Sequence, residues 1–224
     1  MVFRGAAENM ALDQAIFEHT QKTGDAFFRS YCWNAPAVTV GYFHRFAPRE
    51  YLHDPARGPV RRFTGGGKVE HGEDLTFLLT LPAGSELSSL NATDRYQWIH
   101  QIVADCLNNF GATVLLEQRS QPLATGPCFE NTVGWDLVDP GSGKKVGGGA
   151  QRRSAGHVIH QGSIRVPSKL RLPDADWIQE FLQQLSEEVR LTNEITESKL
   201  LMDAETTLES RYARKEWNEL ARGN

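Results

Sequence analysis

Polar and apolar positions fall into alternating helical and extended blocks along this chain. Between residues 8 and 22, Ala11, Leu12, Ala15, Ile16 and His19 recur every three to four positions, which predicts an amphipathic helix. Glu8 lies in its first turn, where the helix dipole favours an anion, and Gly24 is placed to end it. Residues 29–33 and 37–41 read as two strands around an Asn34-Ala35-Pro36 turn. Residues 75–81 form a nearly continuous apolar run, the pattern of a buried strand, broken by Pro82-Ala83-Gly84-Ser85. The clearest helical stripe covers residues 94–110, with Trp98, Ile99, Ile102, Val103, Cys106, Leu107 and Phe110 on one side and Gly111 as its stop. Further strands are predicted at 113–117, 135–138 and 158–166. A helix at 174–189 turns Trp177, Ile178, Phe181, Leu182, Leu185 and Val189 inward, a tail helix spans 203–212, and Trp217 pins the C-terminus. Strands interleaved with helices predict an α/β or α+β domain with one main mixed sheet flanked by helices.

Two glycine-rich stretches interrupt this pattern. Residues 61–68 read Arg-Arg-Phe-Thr-Gly-Gly-Gly-Lys, and residues 144–153 read Lys-Lys-Val-Gly-Gly-Gly-Ala-Gln-Arg-Arg. Bare backbone flanked by cations suits close approach to a ligand, with N–H groups facing an anion or a polarised carbonyl. They are read as two loops walling one site. If the second stretch is extended, Lys145 faces the ligand and Lys144 does not. By the same alternation one of Arg61 and Arg62 faces the site and the other solvent. His71 and His160 are candidates for a polar wall or for structural hydrogen bonds. Glu8 and Asp136 belong to no spaced carboxylate cluster, so no metal site is expected.

Length and composition narrow the class. At 224 residues, with 40% apolar and 23% charged positions, the chain has the content of one globular domain with a sizeable core. A net charge of −4 argues against nucleic-acid binding and makes the cations near the glycines local. No apolar run reaches the length of a membrane span and no leader opens the chain, so the expected setting is cytoplasmic. The three cysteines, Cys32, Cys106 and Cys128, are odd in number and widely separated, which excludes a disulfide framework and standard zinc spacing. Cys32 and Cys106 sit among core positions.

Cys128, in Gly126-Pro127-Cys128-Phe129, lies outside any periodic pattern. It reads either as a loop cysteine or as a nucleophile. The second role needs a thiolate, which a nearby ammonium such as Lys145 would favour.

These residues resemble the lipoate–protein ligase and octanoyltransferase superfamily, related in fold to biotin protein ligases. The matching segments are Glu8-Asn9-Met10-Ala11-Leu12-Asp13, residues 29–33, Arg61 through Gly67 with Val69 and His71, residues 145–152, His160-Gln161-Gly162-Ser163-Ile164, and residues 212–218. The resemblance is nearest to the cysteine-dependent monomeric octanoyltransferases, on Cys128-Phe129-Glu130. It implies that Cys128 carries an acyl thioester and that Lys145 lowers its pKa. It also implies that Arg62 contacts ligand, and that an acyl channel is lined by Thr64, Gly65, Gly66, Gly67, Lys68, Val69, Glu70, His71, Gly148, Gly149, Ala150, Gly162, Ser163 and Ile164. The implied partners are an acylated acyl carrier protein and the lipoyl domains of 2-oxoacid dehydrogenases or the glycine cleavage H protein, with a monomeric enzyme that needs no cofactor. Two rivals stand: an ATP- and Mg²⁺-dependent lipoate–protein ligase, and a non-catalytic lipoyl- or biotinoyl-binding protein. Lys68 and Glu70 depart from the family's usual residues, and Lys68 keeps an anionic ligand in play. Residues 139–142 are expected to lengthen a hairpin turn. Relative to the family, the usual first strand is expected to be missing before Glu8, and the absence of the ligases' accessory domain after the last residue favours the transferase.

Overall fold

Helix α1 (Ala6–Thr23) starts where Glu8 Oε2 accepts the Gly5 N–H at 2.8 Å and stops at Gly24, whose φ of 78° lets its N–H reach Thr20 O. The chain is described by a computed structural model over residues 4–46, 54–118, 132–165, 175–185 and 197–219. Strands β1 (Phe27–Tyr31), β5 (Leu75–Leu81), β6 (Leu115–Leu116), β7 (Leu137–Val138), β8 (Lys145–Ser154) and β9 (His157–Ile164) form a sheet in the order β1-β5-β9-β8-β7-β6. Strands β2 (Ala37–Val40), β3 (Val60–Arg61) and β4 (Val69–His71) form a second sheet in the order β3-β2-β4.

The α/β class holds, with a large sheet flanked by helices. The sheet arrangement differs from the expectation. Every pairing in the large sheet is antiparallel, and the parallel contact, β2 with β3, lies in the small sheet. The two strands on either side of Asn34-Ala35-Pro36 do not pair with each other, since β1 joins β5 and β2 joins β3 and β4.

All seven residues of β5 are buried because both its faces are covered. Phe77, Leu79 and Leu81 pack under α3 (Ala92–Asn109) and α4 (Ala175–Leu185), against Ile99, Val103, Cys106, Trp177 and Phe181. Leu78 packs on the opposite face with Leu12, Ile16 and Phe17 of α1. Each such side chain contributes on the order of 1.5–3 kcal/mol of burial. Helix α3 is capped by Asn91 Oδ1 and closes with Gly111 N–H to Asn108 O and Ala112 N–H to Leu107 O, the paired bonds that a left-handed glycine permits. Its stripe is narrower than predicted: Trp98 and Phe110 stay partly exposed.

The C-terminal elements, α5 (Glu197–Thr207), a π-turn at Leu208–Tyr212 and α6 (Lys215–Glu219), pack on α1 and β3, and Trp217 is buried as expected. Arg61 is the anchor. Rather than alternating into solvent it is fully buried, donating to the carbonyls of Gly41, Tyr42, His44, Trp217, Asn218 and Glu219. No helix among the described residues is long and apolar enough to cross a membrane.

Candidate active site

Between the small sheet and the α1-facing side of the large sheet lies a pocket with about 480 Å³ of free space, part of it open to solvent. Its walls come from both glycine-rich stretches, as the sequence implied. Arg62 and Gly66 line it from the first, Val69 and His71 from β4 just after it, Lys145, Gly148, Gly149 and Ala150 from the second, and Gly162 and Ser163 from β9.

The second stretch is not a loop. It is the ten-residue strand β8, held between β9 and β7, and its glycines occupy places where side chains would collide. A β-carbon on Gly147 would sit 2.7 Å from Leu137, and one on Gly149 would sit 2.6 Å from His160 Nε2. This changes the chemistry expected of the glycines. Amides of a paired strand run along the sheet rather than out of its face, and the Gly149 N–H donates to Tyr96 OH at 2.8 Å. β8 therefore offers the pocket a smooth backbone surface instead of a row of oxyanion donors.

A register break in β8 sets the position of Lys145. Val138 opposes Lys145 while Leu137 opposes Gly147, so Val146 is extra. This bulge sends Val146 into the main core and leaves Lys145 and Gly148 on the same, pocket-facing side. Strict alternation would put residues three apart on opposite faces. Lys144 is exposed and Lys145 buried, as alternation at that point predicted. The Lys145 Nζ meets Asp136 Oδ2 at 2.8 Å with both side chains nearly inaccessible.

A directed chain of hydrogen bonds runs across the opposite wall. Arg62 Nη1 donates to Thr39 Oγ1 at 2.8 Å, the Thr39 hydroxyl donates to His71 Nε2 at 2.8 Å, and His71 Nδ1–H donates to Asp74 Oδ2 at 2.7 Å. Burial pushes His71 below the ordinary histidine range against the pull of Asp74, which suits a neutral ring in this chain. Burial alone would raise Asp74, but hydrogen bonds from His71, Ser163 and the Gly72 N–H bring it down to about 2. His71 also stacks on Trp33 with centroids 4.0 Å apart. Arg62 Nη2 donates to Gly65 O and Gly67 O, so this guanidinium shapes the first glycine loop as well as lining the pocket.

At the α1 end, Gln161 accepts from Thr64 Oγ1 and donates to Asp13 Oδ2, which also accepts from Tyr31 OH. Met10, Tyr31, Trp33, Thr39, Thr76 and Gln161 were not singled out as site residues, yet they line the pocket. For Met10, Tyr31, Trp33 and Gln161 the available signal was their place inside the segments carrying the family resemblance.

Several expected residues lie elsewhere. Thr64 is buried behind the wall, and Gly65 and Gly67 contribute carbonyls to Arg62. Lys68 and Glu70 pair with each other at 3.0 Å with both side chains substantially exposed, so Lys68 has a local counter-charge. Ile164 belongs to the main core, because even-numbered positions of β9 face α3 and α4. His160 points the same way, stacked on Phe77, so it forms no pocket wall. Cys128 lies outside the described residues. No group of three or more His, Cys, Asp or Glu among the described residues is placed to hold a metal ion.

Comparison with known proteins fits this geometry. The profile of the lipoyl protein ligase A/B catalytic domain matches residues 5–202. The chain is 29% identical to octanoyltransferase LipM of Bacillus subtilis over 94% of this chain and 80% of that protein. It is 28% identical to octanoyltransferase LipM of Staphylococcus aureus over 70% of this chain, and the match spans 60% of that protein's length. A Thermoplasma acidophilum protein assigned as a lipoate protein ligase and solved with bound lipoic acid superposes with a TM-score of 0.70 at 18% identity, covering 98% of this chain and 99% of that one.

Proposed function

Because the chain belongs to the lipoyl protein ligase A/B catalytic domain family, we propose that it is an octanoyltransferase that acts through Cys128. The thiolate of Cys128 attacks the carbonyl of an octanoyl thioester on acyl carrier protein. A carbon–sulfur bond forms to Cys128, the bond to the carrier breaks, and the carrier leaves as a thiol after taking up a proton. The ε-amine of a lysine on a lipoyl domain then attacks the acyl-enzyme. An amide forms, the amine loses a proton, and the Cys128 thiolate is released. A lipoyl group follows the same route, and the acceptors are lipoyl domains of 2-oxoacid dehydrogenases or the glycine cleavage H protein. The enzyme works as a cytoplasmic monomer without ATP.

The observation that supports this reading is the placement of Lys145. Its ammonium lies on the wall of a pocket with apolar side chains from Met10, Trp33 and Val69, beside bare backbone at Gly148. A cation there favours an anionic sulfur brought to the pocket mouth, while the smooth β8 surface accommodates an alkyl chain. The octanoyltransferase relatives named above support octanoyl transfer as the reaction.

The test is incubation with octanoyl-acyl carrier protein followed by intact-mass and peptide analysis. One octanoyl group is expected on Cys128, transfer to a lipoyl domain is expected without ATP, and Cys128→Ser is expected to abolish both. Acceptor modification that requires ATP and survives Cys128→Ser would establish the ligase instead. Tight acyl binding with no transfer under either condition would establish a binding protein.

A further inference from the structure

Asp136 is fully buried and its carboxylate accepts three hydrogen bonds: from Lys145 Nζ at 2.8 Å, from the Val133 N–H at 2.7 Å and from Tyr96 OH at 2.6 Å. Tyr96 OH in turn accepts the Gly149 N–H at 2.8 Å. That amide lies beyond the end of β7, whose last partner on this part of β8 is Gly147. Tyr96 thus completes the edge of β8 and ties it to Asp136 through one oxygen.

The backbone before Asp136 is bent to aim it. Trp135 has a φ of 69°, a left-handed conformation that costs a bulky residue on the order of 1–2 kcal/mol. Its surroundings hold it there: Trp135 N–H donates to Glu117 O at 2.7 Å, His100 Nδ1–H donates to Trp135 O at 2.8 Å, and Asp136 N–H donates to Val133 O at 3.1 Å. Strain of this kind persists where a neighbouring side chain must be held in one direction.

We propose that Asp136 and Tyr96 are positioning residues that fix the Lys145 ammonium on the pocket wall. The inference rests on the role given to Lys145 above. A lysine stem has four rotatable bonds, and an ammonium taken out of water needs a counter-charge with good geometry. Asp136 supplies the charge, Tyr96 fixes the second carboxylate oxygen, and Gly148 leaves room for the lysine to cross the sheet surface.

Two variants test it, Tyr96→Phe and Asp136→Asn, both near-isosteric and checked for folding by thermal melting. The first readout is the single-turnover rate of Cys128 octanoylation from octanoyl-acyl carrier protein. It should fall by about tenfold in Tyr96→Phe and by more in Asp136→Asn, with the donor KM within about twofold of wild type. The second readout is independent of turnover: labelling of Lys145 by a small amine-reactive acylating reagent, followed by mass spectrometry. Wild-type Lys145 should be protected, and both variants should label at least about tenfold faster. Folded variants that acylate and label like wild type overturn the proposal. If Asp136→Asn does not fold, Tyr96→Phe decides it alone. If wild type forms no Cys128 adduct but labelling still rises in the variants, the positioning role stands and the transferase reading fails.

Discussion

Gly148 lies directly beneath the Lys145 side chain: a β-carbon built on it would sit 2.6 Å from Lys145 Cε, 2.7 Å from Nζ and 2.8 Å from Asp136 Oδ1. The contact exists because the β8 bulge puts two residues three apart on one face. A glycine that reads as conformational freedom in the sequence acts here as a missing methyl.

Gly148→Ala should therefore lower both activity and stability. The backbone there is ordinary strand, and the clashing atoms belong largely to the flexible end of a lysine. The protein should still fold, with a stability loss of about 3 kcal/mol because Asp136 is left buried without its counter-charge, while Cys128 acylation falls by about tenfold or more because the ammonium is displaced. Melting curves and single-turnover acylation measured on the same preparation check it. An alanine enzyme with wild-type rates would mean that the position of Lys145 does not matter.

Arg61→Ala should act through stability. The guanidinium satisfies six backbone carbonyls drawn from the 41–44 turn and the C-terminal helix. Removing it leaves several buried acceptors without that donor. Each such loss costs on the order of 1–3 kcal/mol, so a total of at least about 3 kcal/mol is expected by urea denaturation. Arg61→Lys should recover only part of this, because one ammonium cannot reach carbonyls on both sides of the fork.

How far the sequence foretold these arrangements depended on what the side chains could report. Leu75–Leu81 was legible to the residue because both faces of β5 are covered and five of its seven positions, all but Thr76 and Thr80, are apolar. The Gly111 stop was legible because only glycine readily takes its φ of 90°. By contrast, β8 hid behind Val146-Gly147-Gly148-Gly149, since glycines carry no alternation and the bulge breaks what remains. The burial of Arg61 depends on carbonyls more than 150 positions away, which no local pattern encodes. The segments of the first and second glycine stretches were rightly brought to one pocket, whereas Asp136 and Tyr96 gave no sign that they meet at Lys145.

Thr39→Val tests the chain across the far wall. The substitution keeps the shape and removes the hydroxyl that links Arg62 Nη1 to His71 Nε2. It leaves a buried guanidinium nitrogen without that acceptor and frees the His71 ring to tilt against Trp33. If this wall binds the acyl donor, the donor KM should rise by about tenfold with a smaller change in kcat, matching the loss of one charge-assisted bond. An unchanged KM would assign the chain to folding alone.

Acid sensitivity should come from buried histidines. Burial pushes His100 down to about 4, partly offset by Asp136 and the bond to Trp135 O; it also pushes His160 well below the ordinary range and lowers His71. For a group whose folded pKa is depressed in this way, the unfolded chain binds the proton first. Stability is then unaffected above about pH 6.5 and is lost as pH falls below it. His100 alone accounts for about 3 kcal/mol between pH 6.5 and 4. Asp74, held at about 2, adds a separate loss only as pH falls below the ordinary carboxylate range. His160 permits a sharper test because neither ring nitrogen has a hydrogen-bond partner among the described residues, and its ring stacks on Phe77. His160→Leu removes a group that cannot charge inside the fold and gives up no hydrogen bond to a described residue. It should leave the protein as stable as wild type, or about 1 kcal/mol more stable, at pH 7.5. It should also flatten the decline between pH 6.5 and 5, measured by urea unfolding at several pH values. A variant that loses stability at pH 7.5 while keeping the wild-type slope would show that His160 is satisfied in solution, and that its burial is not the source of the acid response.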